Sequence, residues 1–140
     1  MPGNTLRVLV VEDTFSNLKM LEAKLLGERF EVEVALDGAE ALRKIAAQTF
    51  DIVLLDVMMP GLDGFEVCRR IKTGRETGDL PVIMVTALDS LADRQLGMDA
   101  GADDFFVKPV EDRLLFGRMI ELTDRANVDA SARDAWARQV

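Results

Sequence analysis

The chain of 140 residues carries 25 acidic and 17 basic side chains, a formal charge of −8, and 49% of it is apolar. That is about one domain with enough greasy surface to build a core, and its negative balance argues against non-specific binding to nucleic acid or anionic membranes. There is no histidine, which excludes Ser-His-Asp and Cys-His triads, a histidine metal site and a histidine general base. No apolar run approaches the ~18–20 residues of a membrane span, and the N-terminus lacks the basic region and cleavage site of a signal peptide. The expectation is a soluble, cytoplasmic protein.

Strand-like and helix-like segments alternate along the chain. Leu6 to Val11 is an apolar, β-rich run. Thr14 to Glu28 has helical spacing that places Leu18, Leu21, Leu25 and Leu26 on one side. Glu31 to Ala35 alternates as a half-exposed strand does. Asp37-Gly38 starts a second helix with Ala41, Leu42 and Ile45 inward. Asp51 to Leu55 is a third strand, continuous in apolar character after Asp51. Asp63 is placed to cap a third helix reaching about Thr73. Residues 80–86, "LPVIMVT", form a fourth strand with Pro81 near its start, where a missing N–H costs least. Asp89 to Ala100 reads as a fourth helix ended by Gly101, "DFFVK" as the fifth strand, and about Val110 to Thr123 or beyond as a fifth helix. The single cysteine, Cys68, lies beside Phe65 and Ile71 on the third helix and reads as a small core filler.

This is a (βα)5 pattern, an α/β doubly wound parallel sheet with its central strands buried on both faces. Five strands favour the flavodoxin-like order 2-1-3-4-5. Residues 1–124 make one domain. Residues 125–140 change character: they are rich in alanine and arginine and hold the only tryptophan, Trp136, which suits a helical extension, a dimer contact or a linker.

Polar residues stand at the carboxyl ends of the strands: Glu12 and Asp13 after the first, Asp56 after the third, Thr86 at the end of the fourth, Lys108 after the fifth. Each alone has an ordinary explanation, as a helix cap, a turn former, a β-former or a surface charge. Together they share one edge of one sheet, at the point where strand order reverses and where such sheets bind ligands. Three carboxylates within roughly 5 Å repel, by about 3 kcal/mol per pair at an effective dielectric of ~20. Protonation or a cation must relieve that, and an all-oxygen donor set suits Mg²⁺. Acids, a divalent cation, a lysine and a hydroxyl around one pocket fit phosphoryl transfer. The P-loop pattern is absent. A phosphatase of the haloacid-dehalogenase type would want a second acid two residues past Asp56, where Met58 stands. A flavodoxin-like cofactor site would want a glycine- and hydroxyl-rich loop where the chain offers "EDTFSN". What remains is a carboxylate that accepts a phosphoryl group, with little machinery to move it onward.

The segments "VVEDTFSN", "DIVLLDVMMPGLDGFEVCRRIK", "PVIMVTALDS" and "GADDFFVKPV" resemble the receiver domains of two-component response regulators, the group that includes CheY. The resemblance covers about Leu6 to Leu122. The wording around "LDVMMPGLDGFEVCRRIK" and "KPVEDRLLFGRM" is especially similar to the first receiver of PleD-type diguanylate cyclases. The resemblance implies that Asp56 is the phosphoacceptor. It implies that Asp13 ligates Mg²⁺ (with Mn²⁺ as a substitute), that Glu12 acts through water and that the Met58 backbone carbonyl completes the protein's share. Lys108 would pair with phosphoryl oxygens, Thr86 would hydrogen-bond to them, and Phe105 would occupy the switch-aromatic position. Lys108-Pro109 would be a cis peptide. The implied partners are a sensor histidine kinase or a histidine phosphotransfer protein, with a possible homodimer through the fourth helix, fifth strand and fifth helix. No enzymatic turnover is implied beyond self-phosphorylation from phosphodonors and slow autodephosphorylation. Glu12 stands where many members carry Asp, and Phe105 lacks a tyrosine hydroxyl. Met58 and Leu88 are apolar at the positions two past Asp56 and Thr86, which predicts slow autodephosphorylation. Two alternatives have other readouts: an interaction module that never takes phosphate, and a Mg²⁺-dependent phosphatase.

Overall fold

The computed structural model describes residues 5–28, 30–59 and 63–127. Five strands and five helices alternate: β1 (Arg7–Val11), α1 (Phe15–Gly27), β2 (Glu31–Ala35), α2 (Gly38–Ala47), β3 (Ile52–Leu55), α3 (Gly64–Thr73), β4 (Val82–Thr86), α4 (Leu91–Asp99), β5 (Asp104–Val107) and α5 (Asp112–Asn127). The strands form one parallel sheet in the order β2-β1-β3-β4-β5, as expected from strand number. The residues of the proposed tail beyond Asn127, Trp136 among them, lie outside the described residues, as does Pro60-Gly61.

The central strands explain their own composition. In β1, β3 and β4 nearly every side chain is buried, because helices cover both faces of the sheet. Alternation divides the core in two. Val8, Val10, Ile52, Leu54, Ile83 and Val85 face α1 and α5, where they meet Leu18, Leu25, Leu115 and Met119. Leu9, Val11, Val53, Leu55, Val82 and Met84 face the other helices, where Ala41, Val67, Cys68 and Ile71 meet them. Each fully buried side chain of this size contributes about 1.5–3 kcal/mol, so the mounting of the sheet's polar edge is stiff. Edge strand β2 is only partly buried, in keeping with its alternating sequence.

Helix starts follow their caps. The Asp37 carboxylate accepts from Glu40 N–H, Asp63 from Glu66 N–H, and Ser90 forms a reciprocal capping box with Asp93. The fourth helix therefore begins two residues later than its sequence pattern suggests. In α1 the cap position is Thr14, so Asp13 is left free of that role. Leu26, expected inward on α1, is 55% exposed. It follows Leu25 by a step of about 100° and turns off the stripe that Leu18 and Leu25 form. Gly64 is required by space: a methyl group there would stand 2.3 Å from Val57 Cα, so α3 can start close under the loop that leaves β3 only with glycine at this place.

Cys68 is fully buried on α3 and its thiol lies 3.5 Å from the Ala100 carbonyl. Burial pushes its pKa up to about 11. At pH 8 only about one thiol in a thousand is then ionised. Native protein is expected to resist iodoacetamide for hours at pH 8 and to be alkylated quickly in guanidinium, with the adduct counted by mass spectrometry.

Candidate functional site at the carboxyl edge of the sheet

Sheet register assembles the site. Val11 pairs with Leu55 across β1 and β3, so the residues that follow, Glu12 and Asp56, leave the sheet side by side. Their backbones are still held there: Asp56 N–H donates to the Val11 carbonyl at 3.0 Å and Glu12 N–H to the Ala35 carbonyl at 3.0 Å. At the other end Thr86 pairs with Val107, and Lys108 N–H donates to the Thr86 carbonyl at 2.8 Å. The Lys108-Pro109 bond is cis.

From that position Lys108 reaches back across the sheet edge. Its Nζ lies 2.7 Å from Glu12 Oε1 and 3.0 Å from Asp56 Oδ2. The second oxygen of each acid is also engaged. Asp56 Oδ1 accepts from Met58 N–H at 2.9 Å, and Glu12 Oε2 from Thr14 N–H at 3.1 Å. Both acids are buried, at 7% and 5% exposure. Glu12 is thus neither a solvated charge nor spare. Desolvation raises its pKa, and the Asp56 charge adds to that against the opposing pull of Lys108 and Thr14 N–H. Desolvation lowers the Lys108 pKa, but the two carboxylates outweigh it, and the net shift is upward.

Asp13 behaves differently from its neighbour. It is exposed, and among the described residues no three acidic, histidine or cysteine side chains stand close enough together to enclose a metal ion. The tight three-carboxylate cluster expected from the sequence is in this arrangement a pair bridged by one ammonium, with the third acid turned to water. The donor set still fits a divalent cation. Two buried acids share a single lysine and a third, exposed acid is next to them in sequence, which leaves the edge short of positive charge, and all the side-chain donors are oxygens.

Thr86 is fully buried, and its Oγ1 accepts from Leu88 N–H at 3.4 Å. Phe105 is 5% exposed. The Arg94 guanidinium sits 5.4 Å from the ring centroid, and Arg94 Nη1 lies 3.4 Å from the Phe105 carbonyl. Sequence reasoning missed two partners here. One is the Glu12–Lys108 contact, whose only signal was an acid longer than aspartate at that position. The other is Arg94, whose spacing from Phe105 carries no signal in sequence.

A doubly wound five-strand sheet in this order, with a buried acid pair at its β1/β3 switch point and a lysine reaching it from the end of β5, defines a flavodoxin-like α/β domain. The family model for the response regulator receiver domain matches residues 8–120, and the chain belongs to that family. It is 50% identical to the response regulator PleD of Caulobacter vibrioides over 117 residues, 84% of this chain and 26% of PleD. The chain spans between about a quarter and a little over half the length of the curated relatives it matches. Among solved structures, a CheY-like receiver domain protein of Methanospirillum hungatei is similar with a TM-score of 0.81 and 32% identity, covering 88% of this chain and 97% of that one. The receiver domain of the sensor histidine kinase PA1611 of Pseudomonas aeruginosa has a TM-score of 0.80 and 29% identity, covers 86% and 98%, and holds a magnesium ion in its active-site cleft. Among the described residues no helix is long and apolar enough to cross a membrane.

Proposed function

We propose that this receiver takes a phosphoryl group on Asp56 from a partner's phosphohistidine, in a Mg²⁺-dependent step, and transmits the change through α4, β5 and α5. The observation that carries it is Asp56 itself: a buried carboxylate at a strand end, with one oxygen on Lys108 and the other on Met58 N–H. Those two contacts fix the plane of the nucleophile before the donor arrives. The attacking carboxylate oxygen forms a bond to phosphorus as the P–N bond to the imidazole breaks. Because the chain has no histidine, the donor imidazole comes from the partner. Lys108 is placed to follow the developing negative charge on the phosphoryl oxygens.

Asp13, Asp56 and the Met58 carbonyl would hold the divalent cation, and Glu12 would act on it through water. Bound there, the ion supplies charge neutralisation for the transferred phosphoryl group. The magnesium in the PA1611 receiver supports this reading. Chelation is expected to abolish labelling by acetyl phosphate and Mg²⁺ or Mn²⁺ to restore it. Labelling that persists in EDTA would overturn the metal assignment.

Acyl phosphate adds charge and acceptor oxygens, which the Thr86 hydroxyl and Lys108 can bind in only one arrangement. Phosphorylation then biases an existing equilibrium. A shift from 1:99 to 99:1 takes about 5.5 kcal/mol, within reach of a few charge-assisted contacts at about 1.5–3 kcal/mol each. The face that would read it shows exposed Leu91, Leu96, Met98 and Leu114, apolar area that a partner or a second copy could cover. Met58 is 53% exposed beside Asp56 and neither it nor Leu88 can orient a water for attack. The phosphorylated protein is expected to lose phosphate over many minutes. Loss within seconds in a quenched time course would contradict this.

A further inference from the structure

β2 is an outer strand of the sheet, paired with β1 from Arg7–Glu31 to Val11–Ala35. In a parallel pair, alternate residues give both N–H and C=O to the neighbouring strand, and those between them turn both away. Glu31 N–H donates to the Leu6 carbonyl, and the Ala35 carbonyl accepts from Glu12 N–H. Glu31, Glu33 and Ala35 are therefore the residues bonded to β1, and Val32, Val34 and Leu36 face outward. Such an edge is a template on which another strand can add. Two side chains of α2 occupy its last step. Lys44 Nζ donates to the Val34 carbonyl at 2.6 Å, and Glu40 Oε1 accepts from Leu36 N–H at 2.7 Å. One residue of an added parallel strand would make the same two bonds with its own N–H and C=O. Glu40 and Lys44 are one helical turn apart, with 3.8 Å between their charged atoms, and they replace that residue as a unit. Glu40 is not spent on capping its own helix. The α2 cap is Asp37, and the Glu40 carboxylate passes over it to reach Leu36.

We propose that Glu40 and Lys44 guard the β2 edge: they fill it as a strand residue would and so keep a second copy of this chain from extending the sheet there. The possible pairings of β2 with its copy support this. A two-fold pairing centred on Val34 or on Glu33 needs the Val34 carbonyl, which Lys44 holds. The pairing centred on Val34 also sets Val32 opposite Leu36 and needs the Leu36 N–H, which Glu40 holds. A pairing centred on Val32 leaves both groups alone, but it sets Glu31 of each copy opposite Glu33 of the other, like charge against like. The guard and the alternating glutamates of the strand thus obstruct different registers of the same association. The device is independent of the chemistry at Asp56, since α2 and β2 carry it without any residue of that site.

The test is the double variant Glu40→Met with Lys44→Met in the whole chain, without Mg²⁺ or phosphodonor. It removes the acceptor and the donor, keeps two good helix formers and leaves the net charge unchanged, because one charge of each sign goes. Sedimentation equilibrium is expected to show self-association at least about tenfold stronger than that of wild type. Amide exchange at Val32 and Val34 should slow with rising concentration in the variant and not in wild type. The pair Glu40→Gln with Lys44→Arg keeps an acceptor and a donor at the same places and should behave as wild type. Association of the methionine variant no stronger than that of wild type would overturn the proposal. So would association that leaves exchange at Val32 and Val34 unchanged, or equal association of the Gln/Arg pair. A measurement on wild type alone decides the matter if the methionine variant does not fold. Corrected for intrinsic rates, the Leu36 N–H held by Glu40 should exchange about tenfold more slowly than the outward Val34 N–H, and equal rates would show that no guard is in place.

Discussion

Asp56→Asn is expected to abolish phosphoryl labelling, to below about 1% of the wild-type level, while leaving the fold intact. The amide is a far weaker nucleophile and cannot form the acyl phosphate. Its effect on stability runs against the usual direction for a buried polar substitution. Asp56 and Glu12 are both buried and share one lysine, and the Asp56 charge is one of the influences that raise the Glu12 pKa. Removing it relieves that repulsion and leaves Lys108 paired with Glu12 alone. The carboxamide oxygen of the substituted side chain can still accept from Met58 N–H. Without Mg²⁺ the variant is expected to melt at the wild-type temperature or a few degrees above it. With saturating Mg²⁺ that difference should shrink, because the cation stabilises the wild-type pair more than the variant. The measurements are intact mass after acetyl phosphate treatment and thermal melts with and without Mg²⁺. Labelling of Asp56→Asn at the wild-type level would remove Asp56 from its role. A large fall in melting temperature would show that its charge holds the fold rather than serving the reaction.

How much of this was legible in the sequence differs by element. The strand order followed from five short apolar runs spaced by helical segments, since a parallel sheet with covered faces admits few arrangements. β2 matched to the residue because its alternation marks both ends. The start of α4 was missed by two residues because "ALDS" offers two capping groups, Asp89 and Ser90, and only the fold selects Ser90. At the site, residue types at strand ends pointed to Glu12, Asp56 and Lys108, which the fold brings together. They did not foretell how these pair. That Lys108 bridges Glu12 and Asp56 depends on the register Val11 to Leu55 and on the lysine's reach, which are properties of the folded sheet. Nor did they foretell that Asp13 stands exposed while Glu12 beside it is buried. Gly97, the buried residue of α4 that lies against the Phe105 ring, left no sequence signal either. A glycine inside a helical pattern reads only as a weak point until the ring beneath it is seen.

Lys108→Met separates two roles that the lysine combines. Its ammonium holds Glu12 and Asp56 together, and its raised pKa means that this contribution to stability is complete below the ordinary lysine pKa of about 10.4. The contribution is lost as pH rises through the higher folded value. At pH 7 the substitution removes it entirely and leaves two buried carboxylates facing each other. About 1–2 kcal/mol of stability should go, less than for a fully buried pair because the side chain is 30% exposed. Mg²⁺ binding should move the other way. The ammonium and the divalent cation draw on the same carboxylate charge, so removing the first strengthens attraction to the second. The variant is expected to bind Mg²⁺ several-fold more tightly, and Mg²⁺ should restore most of its lost stability. Labelling should nonetheless fall by about 10²-fold, since no cation then follows the charge onto the phosphoryl oxygens. Calorimetric Mg²⁺ titration and labelling rates at saturating Mg²⁺ test both halves. Tighter metal binding with undiminished labelling would reduce Lys108 to a structural counter-ion. Weaker metal binding would mean that the lysine orders the acids for the cation rather than competing with it.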